Sequence, residues 1–170
     1  LVSRAPAPAN AAETPAMNSP RSPRRGPRRR RFVEPIRTLN LGAVLEDALC
    51  MPAARFVDRI IECAFEIEHD LLVQTEPTAW CELLMALTEH SVRQGFADRP
   101  HGGSIVISAG RLDADRVRVV YRDDGCLLRT GPGLGRAREI VRDRLRGTIA
   151  ALPSAHGAAF EIDVPTLRPA

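Results

Sequence analysis

The chain contains no lysine: all 24 basic residues among its 170 are arginine. Chemistry that needs a lysine is thereby excluded, including the phosphate-loop lysine and Schiff-base catalysis. Aromatic residues are scarce, at 4% against 44% apolar residues. The core is therefore aliphatic, which suits a mixed α and β domain better than an aromatic-rich β module. The four cysteines, Cys50, Cys63, Cys81 and Cys126, form no C-x-x-C pair. Cys63 and Cys81 lie in apolar runs and are expected as buried free thiols, in keeping with a reducing cytoplasm. No apolar run reaches membrane-spanning length, and there is no signal-peptide segment. The first residue is Leu rather than Met, so the sequence is read as a fragment or as a chain with a non-standard start.

Charge is unevenly distributed. Residues 1–40 hold nine Arg and two Glu, a net +7, so with +3 for the whole chain the remaining 130 residues carry −4. Residues 1–31 are dominated by Ala, Pro, Ser and Arg and are expected to be a disordered tail, because such a composition buries no core. The run from Ser19 to Arg31 could meet nucleic acid or anionic lipid through charge alone. No aromatic is interleaved to stack bases and no amphipathic period exists, so a solvated linker is the preferred reading.

The folded part, 32–167, is organised around Arg122-Asp123-Asp124-Gly125-Cys126-Leu127 and the nearby Gly131-Pro132-Gly133-Leu134-Gly135. The alternating Val117 to Tyr121 run leads in as a strand, and the apolar-periodic Ala137 to Leu145 segment leads out as a helix. A strand-end carboxylate can accept from a polar ligand edge. Glycines at a helix N-terminus let backbone N–H groups approach an anion. Upstream, 42–49 has helical spacing, with Pro52 near its end. Val57–Ile67 and 70–75 read as strands, with a turn at His69-Asp70 between them. A second helix runs from Thr78 to Gly95. Its Trp80, Leu83, Leu84, Leu87 and Ser91 share one face, and Glu82, Ala86 and His90 form a separate stripe. Ser104–Ala109 and Arg116–Arg122 are the next strands, and 147–152 with 158–164 form a closing pair. Adjacent strand pairs predict antiparallel hairpins. Three helices suffice to cover one sheet face, so the fold class is a two-layer α+β sandwich with a mixed, mostly antiparallel sheet.

This order and these motifs resemble the ATP-binding catalytic domain of sensor histidine kinases, within the GHKL superfamily and its Bergerat-type fold. The resemblance covers about residues 32–165. Glu76-Pro77 and the Leu83-Leu84 helix look like the asparagine-box helix and the turn before it. Asp123-Asp124-Gly125 looks like the D-x-G-x-G box, Gly133-Leu134-Gly135 like the second glycine box, and Gly157-Ala158-Ala159-Phe160 like the G-T-x-F ending. The resemblance implies that Asp123 accepts from the adenine amino group of ATP. It also implies that Gly125 lets the base sit close, and that Gly133 and Gly135 lie near the phosphates.

The pattern has gaps. The family's asparagine box supplies a side-chain oxygen to Mg²⁺, which wants hard oxygen ligands, and the helix from Trp80 to Arg93 contains no Asn. In one register Ala86 takes the Asn position. In the other, preferred because it puts Arg93 where a basic residue is usual, His90 takes it. Neither supplies the oxygen, so Mg²⁺ is not expected and ATP binding is in doubt. His90 offers only a nitrogen, better suited to zinc or manganese; its plain reading is a helix-surface histidine. Leu127 replaces the second glycine of the D-x-G-x-G box, and Leu128 to Pro132 leave little room for a lid. None of His69, His90, His101 or His156 sits on a candidate dimerisation helix. The first expectation is a degenerate kinase-like domain, a pseudokinase of two-component signalling. It would work through a protein partner: a kinase, a response regulator or a sigma-factor regulator. The alternatives are an active ATP-binding domain of a truncated sensor kinase and an anti-sigma-type switch kinase.

Overall fold

The computed structural model describes residues 36–55, 60–99, 101–126 and 132–167. The Arg-rich tail, most of the short lid and Leu127 lie outside the described residues. The first strand, β1 (Arg37–Asn40), leads directly into helix α1 (Leu41–Arg55). Asn40 makes the switch: its Oδ1 accepts the Gly42 N–H at 2.9 Å and the Ala43 N–H at 3.4 Å, satisfying donors that a first turn leaves free. Helix α1 extends to Arg55, which places Pro52 in its last turn. Strands β2 (Ile61–Ile67) and β3 (Leu72–Thr75) follow, then helix α2 (Pro77–His90). Pro77 occupies the first turn of α2, where a missing N–H costs nothing.

Helix α2 is the spine of the helical layer. Its Trp80, Leu83, Leu84 and Leu87 are buried at helical spacing, so the stripe visible in the sequence is the face against the core. At His90 the helix continues into one π-helical turn, Ser91–Gly95, in which the Phe96 N–H reaches the Ser91 carbonyl at 2.8 Å. Strands β4 (Gly103–Arg111) and β5 (Arg116–Asp123), helix α3 (Pro132–Asp143), and strands β6 (Thr148–Ala151) and β7 (Ala159–Pro165) complete the order.

A five-stranded sheet runs β2-β4-β5-β7-β6, and β1 with β3 makes a separate two-stranded sheet. The inner residues Ile105, Ile107, Val117, Val119, Tyr121, Phe160, Ile162 and Val164 are buried with the apolar faces of α1, α2 and α3. The outer face mixes polar positions such as Ser104, Ser108, Arg118, Glu161 and Asp163 with Val106 and Val120. On that face Arg118 grips both carboxylate oxygens of Asp163 at 2.8 Å each. The expected two-layer α+β sandwich, with three helices over one face, is what forms.

Two expectations need correction. The strand pair at Ile61–Ile67 and Leu72–Thr75 is not a hairpin. Instead β2 pairs with β4 in parallel over seven residues, Ile61↔Gly103 to Ile67↔Ala109, and β3 pairs antiparallel with β1. Strand β4 is nine residues long, so it matches the whole alternation of β2, whereas four-residue β3 matches barely half of it. Asp70, in the left-handed region at φ 57°, turns the chain away between β2 and β3. The thiols also differ from expectation. Cys63 is exposed and Cys81 half-buried, with Cys50 and Cys126 exposed, and all four are free. Strand β2 is an edge strand, so an inward register does not ensure cover. No helix among the described residues is long and apolar enough to cross a membrane.

Helices α2 and α3 are joined by a buried ion pair. Arg144 donates through Nη2 to Glu76 Oε1 at 2.5 Å and through Nε to Oε2 at 3.2 Å. Its Nη1 meets Glu82 Oε1 at 2.7 Å. The Glu76 side chain is only 5% exposed and also accepts from Thr78 Oγ1 at 3.3 Å, so removing Arg144 takes a facing cation away from a carboxylate in the protein interior. Arg144→Ala is expected to cost about 3–5 kcal/mol in urea unfolding. Adding Glu76→Gln should recover part of that loss.

Candidate functional site

The last residue of β5, Asp123, is buried, and three donors from three segments converge on its carboxylate. Oδ1 accepts the Gly125 N–H at 3.0 Å and the Ala158 N–H at 2.9 Å. Oδ2 lies 2.5 Å from Ser91 Oγ, in the π-helical turn. Ser91 Oγ is also 2.9 Å from Tyr121 Oη and 3.2 Å from the Leu87 carbonyl. A serine has one proton, and a carboxylate is the strongest acceptor within reach. Ser91 therefore donates to Asp123, and Tyr121 donates to Ser91. Burial, the largest influence, raises the Tyr121 pKa, with a further push from the nearby Asp123 charge, so the phenol stays protonated as this chain of donors requires.

The backbone around the carboxylate is equally tight. A side chain at Gly125 would put its Cβ 2.6 Å from Gly95 Cα, and the Cys126 N–H bonds the Gly95 carbonyl at 2.9 Å. The acidic turn is thus docked on the π-helical turn. Gly125, which the resemblance places near a base, makes that backbone contact. Gly157 adopts φ +66°, and a Cβ there would overlap the Asp123 carbonyl oxygen. Only glycine combines that dihedral with that proximity. Asp124 faces outward: it accepts the Ser104 N–H at 2.8 Å and pairs with Arg99 at 2.9 Å, both of which lower its pKa against the effect of partial burial.

His90 is not a surface histidine. It is buried at the end of α2, one residue before Ser91, and its Nε2 has no hydrogen-bond partner among the described residues. Burial lowers its pKa, and the Asp123 charge opposes that shift without cancelling it. Gly133 and Gly135 occupy the first turn of α3, and Gly135 has open space where a side chain would stand. Among the described residues no hydrogen bond links that turn to Asp123.

Structure therefore brings together Asp123, Gly125 and His90, and leaves Gly133 and Gly135 on a separate element. Ser91, Tyr121, Gly95 and Gly157 complete the cluster. Ser91 was legible as a member of the buried stripe of α2, but nothing in a buried stripe says which residue sends a hydroxyl to a carboxylate 32 positions away.

A carboxylate has about four lone-pair sites. Three on Asp123 are filled from within, and the residue is 5% exposed. An exocyclic amine would need the last one, under cover. For the metal, α2 offers a histidine nitrogen, and no cluster of three or more His, Cys, Asp or Glu side chains able to hold an ion exists among the described residues.

His90 gives the site a pH signature. Its folded pKa lies below the ordinary 6.5, so as pH falls through that value the unfolded chain takes up a proton the folded chain resists. Stability should decline on acidification below pH 6.5, and His90→Gln should flatten that part of the stability–pH curve in chemical denaturation.

No protein-family model matches the sequence, and no curated protein matches it. Solved structures do. The nucleotide-free catalytic domain of histidine kinase ThkA superposes with a TM-score of 0.67 at 19% identity, covering 80% of this chain and 100% of that one. Histidine kinase AdeS of Acinetobacter baumannii gives 0.62 at 19% identity, over 77% of this chain and 67% of that one. ThkA in complex with response regulator protein TrrA gives 0.63 at 20% identity, over 77% and 42%. With the layers, the sheet order and the Asp123 turn in place, the chain has the fold of the catalytic domain of sensor histidine kinases.

Proposed function

We propose that this chain is a histidine kinase-like ATPase domain of two-component-type signalling that binds ATP weakly or not at all and acts through contact with another signalling protein. The observation that carries the reading is the Asp123 carboxylate, filled by Ser91, Gly125 and Ala158 and closed to solvent. The nitrogen of His90 in place of an oxygen ligand supports it for the metal. Of the partners expected from the sequence, a response regulator has the clearest support, because a neighbour in fold, ThkA, has been solved in complex with one. Four free thiols suit a reducing, cytoplasmic setting. The second reading, an active ATP-binding domain, draws on the retained Asp123 and Gly125 turn.

Calorimetric titration of the full chain with Mg-ATP separates the two. The expected result is no saturable binding below roughly millimolar ATP. Ser91→Ala frees Oδ2 and His90→Asn restores an oxygen ligand. Together they should raise affinity by about tenfold or more, on the order of 1.4 kcal/mol. Micromolar wild-type binding that needs magnesium and is lost in Asp123→Asn would overturn the proposal in favour of the active domain.

A further inference from the structure

A second recess lies far from Asp123. Strand β5 runs from Arg116 to Asp123, so its two ends stand about 23 Å apart at 3.3 Å per residue. At the Arg116 end is a cavity of about 400 Å³ lined by Asp115, Arg116, Arg146, Thr148, Pro165 and Leu167. Two guanidinium groups and one carboxylate leave it cationic. Neither guanidinium is well matched. Among the described residues the only carboxylate within ion-pair reach of Arg116 is Asp163, at 3.8 Å, and both oxygens of Asp163 are already held by Arg118 at 2.8 Å. Arg146 forms no ion pair among the described residues, although Arg118, Arg136, Arg142 and Arg144 all do.

Arg146 is also held at a cost. It sits at φ 58° just beyond α3, where the next N–H, from Gly147, closes the helix end on the Val141 carbonyl at 2.9 Å. The left-handed position of such a cap ordinarily belongs to glycine. Here the glycine is one residue later, packed so closely against β7 that a Cβ would meet Val164 Cγ1 at 2.8 Å. An arginine therefore occupies the strained position. Strain of this kind persists where the fold over-determines it and is concentrated at binding sites. Beside the guanidinium groups stand Pro165 and Leu167, the latter 66% exposed at the rim, so an apolar surface adjoins the cationic one.

We infer that this recess is a binding site for an amphipathic carboxylate. Its oxyanion lies between Arg116 and Arg146, and its hydrocarbon part lies on Pro165 and Leu167. A guanidinium fork matches a carboxylate in shape as well as charge, and the adjoining apolar surface selects an acid with a hydrocarbon tail over a bare anion. Thr148 adds a hydroxyl on the same wall. Asp115 stands against the carboxylate, which holds the affinity down and excludes groups carrying more negative charge, such as phosphate.

The test is a titration of the full chain followed by backbone amide NMR, with hexanoate, acetate and inorganic phosphate as probes. Hexanoate should give saturable shifts at Gly147, Thr148 and Leu167, with acetate and phosphate several-fold weaker at the same amides. Arg146→Gly should weaken hexanoate about tenfold, the size of a lost charge-assisted pair. Because glycine relieves the left-handed strain, the same variant should melt a few degrees higher than wild type. Arg116→Gln should weaken hexanoate similarly, with no rise in melting temperature. Loss of binding with gain of stability is the signature that a purely structural arginine would not give. Unchanged hexanoate shifts in both variants would overturn the site. Phosphate or acetate binding as tightly as hexanoate would overturn the assignment of the ligand. A lower melting temperature for Arg146→Gly would overturn the strain argument.

Discussion

The domain depends on one buried carboxylate. Asp123 ends β5, and its two oxygens are claimed by the acidic turn that follows, by the backbone leading into β7 and by the π-helical turn that follows α2. An ionised carboxylate inside a protein is tolerated only when its lone pairs are met by donors of good geometry. Meeting them here forces three segments together at one point. The close glycine contacts follow from that convergence. Gly157 must pass the Asp123 backbone, and Gly125 must lie against Gly95. The extra residue in the π-helical turn has the same logic. The wider turn ends with the Gly95 carbonyl bonded to the Cys126 N–H. Such wide turns recur where a backbone is bent for a particular contact.

The bonds that make Asp123 an organiser are also the ones on which the proposed loss of ATP affinity rests. An acceptor that recognises an exocyclic amine must stay available in the free protein, either exposed or bonded to water that can leave. Asp123 is bonded to groups that cannot leave. Ser91 is anchored within α2, and the two N–H groups belong to the main chain. Tyr121, fully buried behind Ser91, holds the hydroxyl in place by donating to it. The cluster is a satisfied network, and a satisfied network resists opening. His90 is the exception beside it: its buried Nε2, like Thr88 Oγ1 two residues earlier, has no hydrogen-bond partner among the described residues.

Much of this architecture was legible from periodicity. The alternation in β4, β5 and β7 and the stripe on α2 are local patterns, and local patterns survive folding when each element buries one face. The sheet order was less legible. Ile61–Ile67 and Leu72–Thr75 are neighbours in sequence, and nothing local says that the first will skip the second for a strand beginning at Gly103. The choice rests on the length of a partner 42 residues away. The site was legible as far as Asp123 and Gly125, because a strand followed by an acidic glycine turn is a strong punctuation. Its state was not legible. Ser91 shows its apolar neighbours in the sequence and its hydrogen bond only in space, and Gly125 looks the same whether it makes room for a base or for another glycine. His90 misled for a related reason. A polar residue on a helix stripe reads as exposed unless the opposing surface is known, and the opposing surface here is the Asp123 cluster.

The absence of lysine has a structural consequence in the folded domain. A guanidinium offers donors in a fixed plane, and two of the tightest junctions use that plane in ways an ammonium could not. Arg144 spans Glu76 and Glu82, tying the C-terminal end of α3 to α2, and Arg118 spans Glu161 and Asp163 across the outer face. In both, one arginine serves two acids, so the clamp holds position as well as charge. Arg116 and Arg146, at the other end of β5, make no such clamp. Arg116 shares an acid already taken, and Arg146 has none among the described residues while occupying a backbone position that disfavours it. A guanidinium left free at the end of a clamped helix adds nothing to the packing that fixes α3. The proposed carboxylate would give that guanidinium the partner that the described residues do not supply.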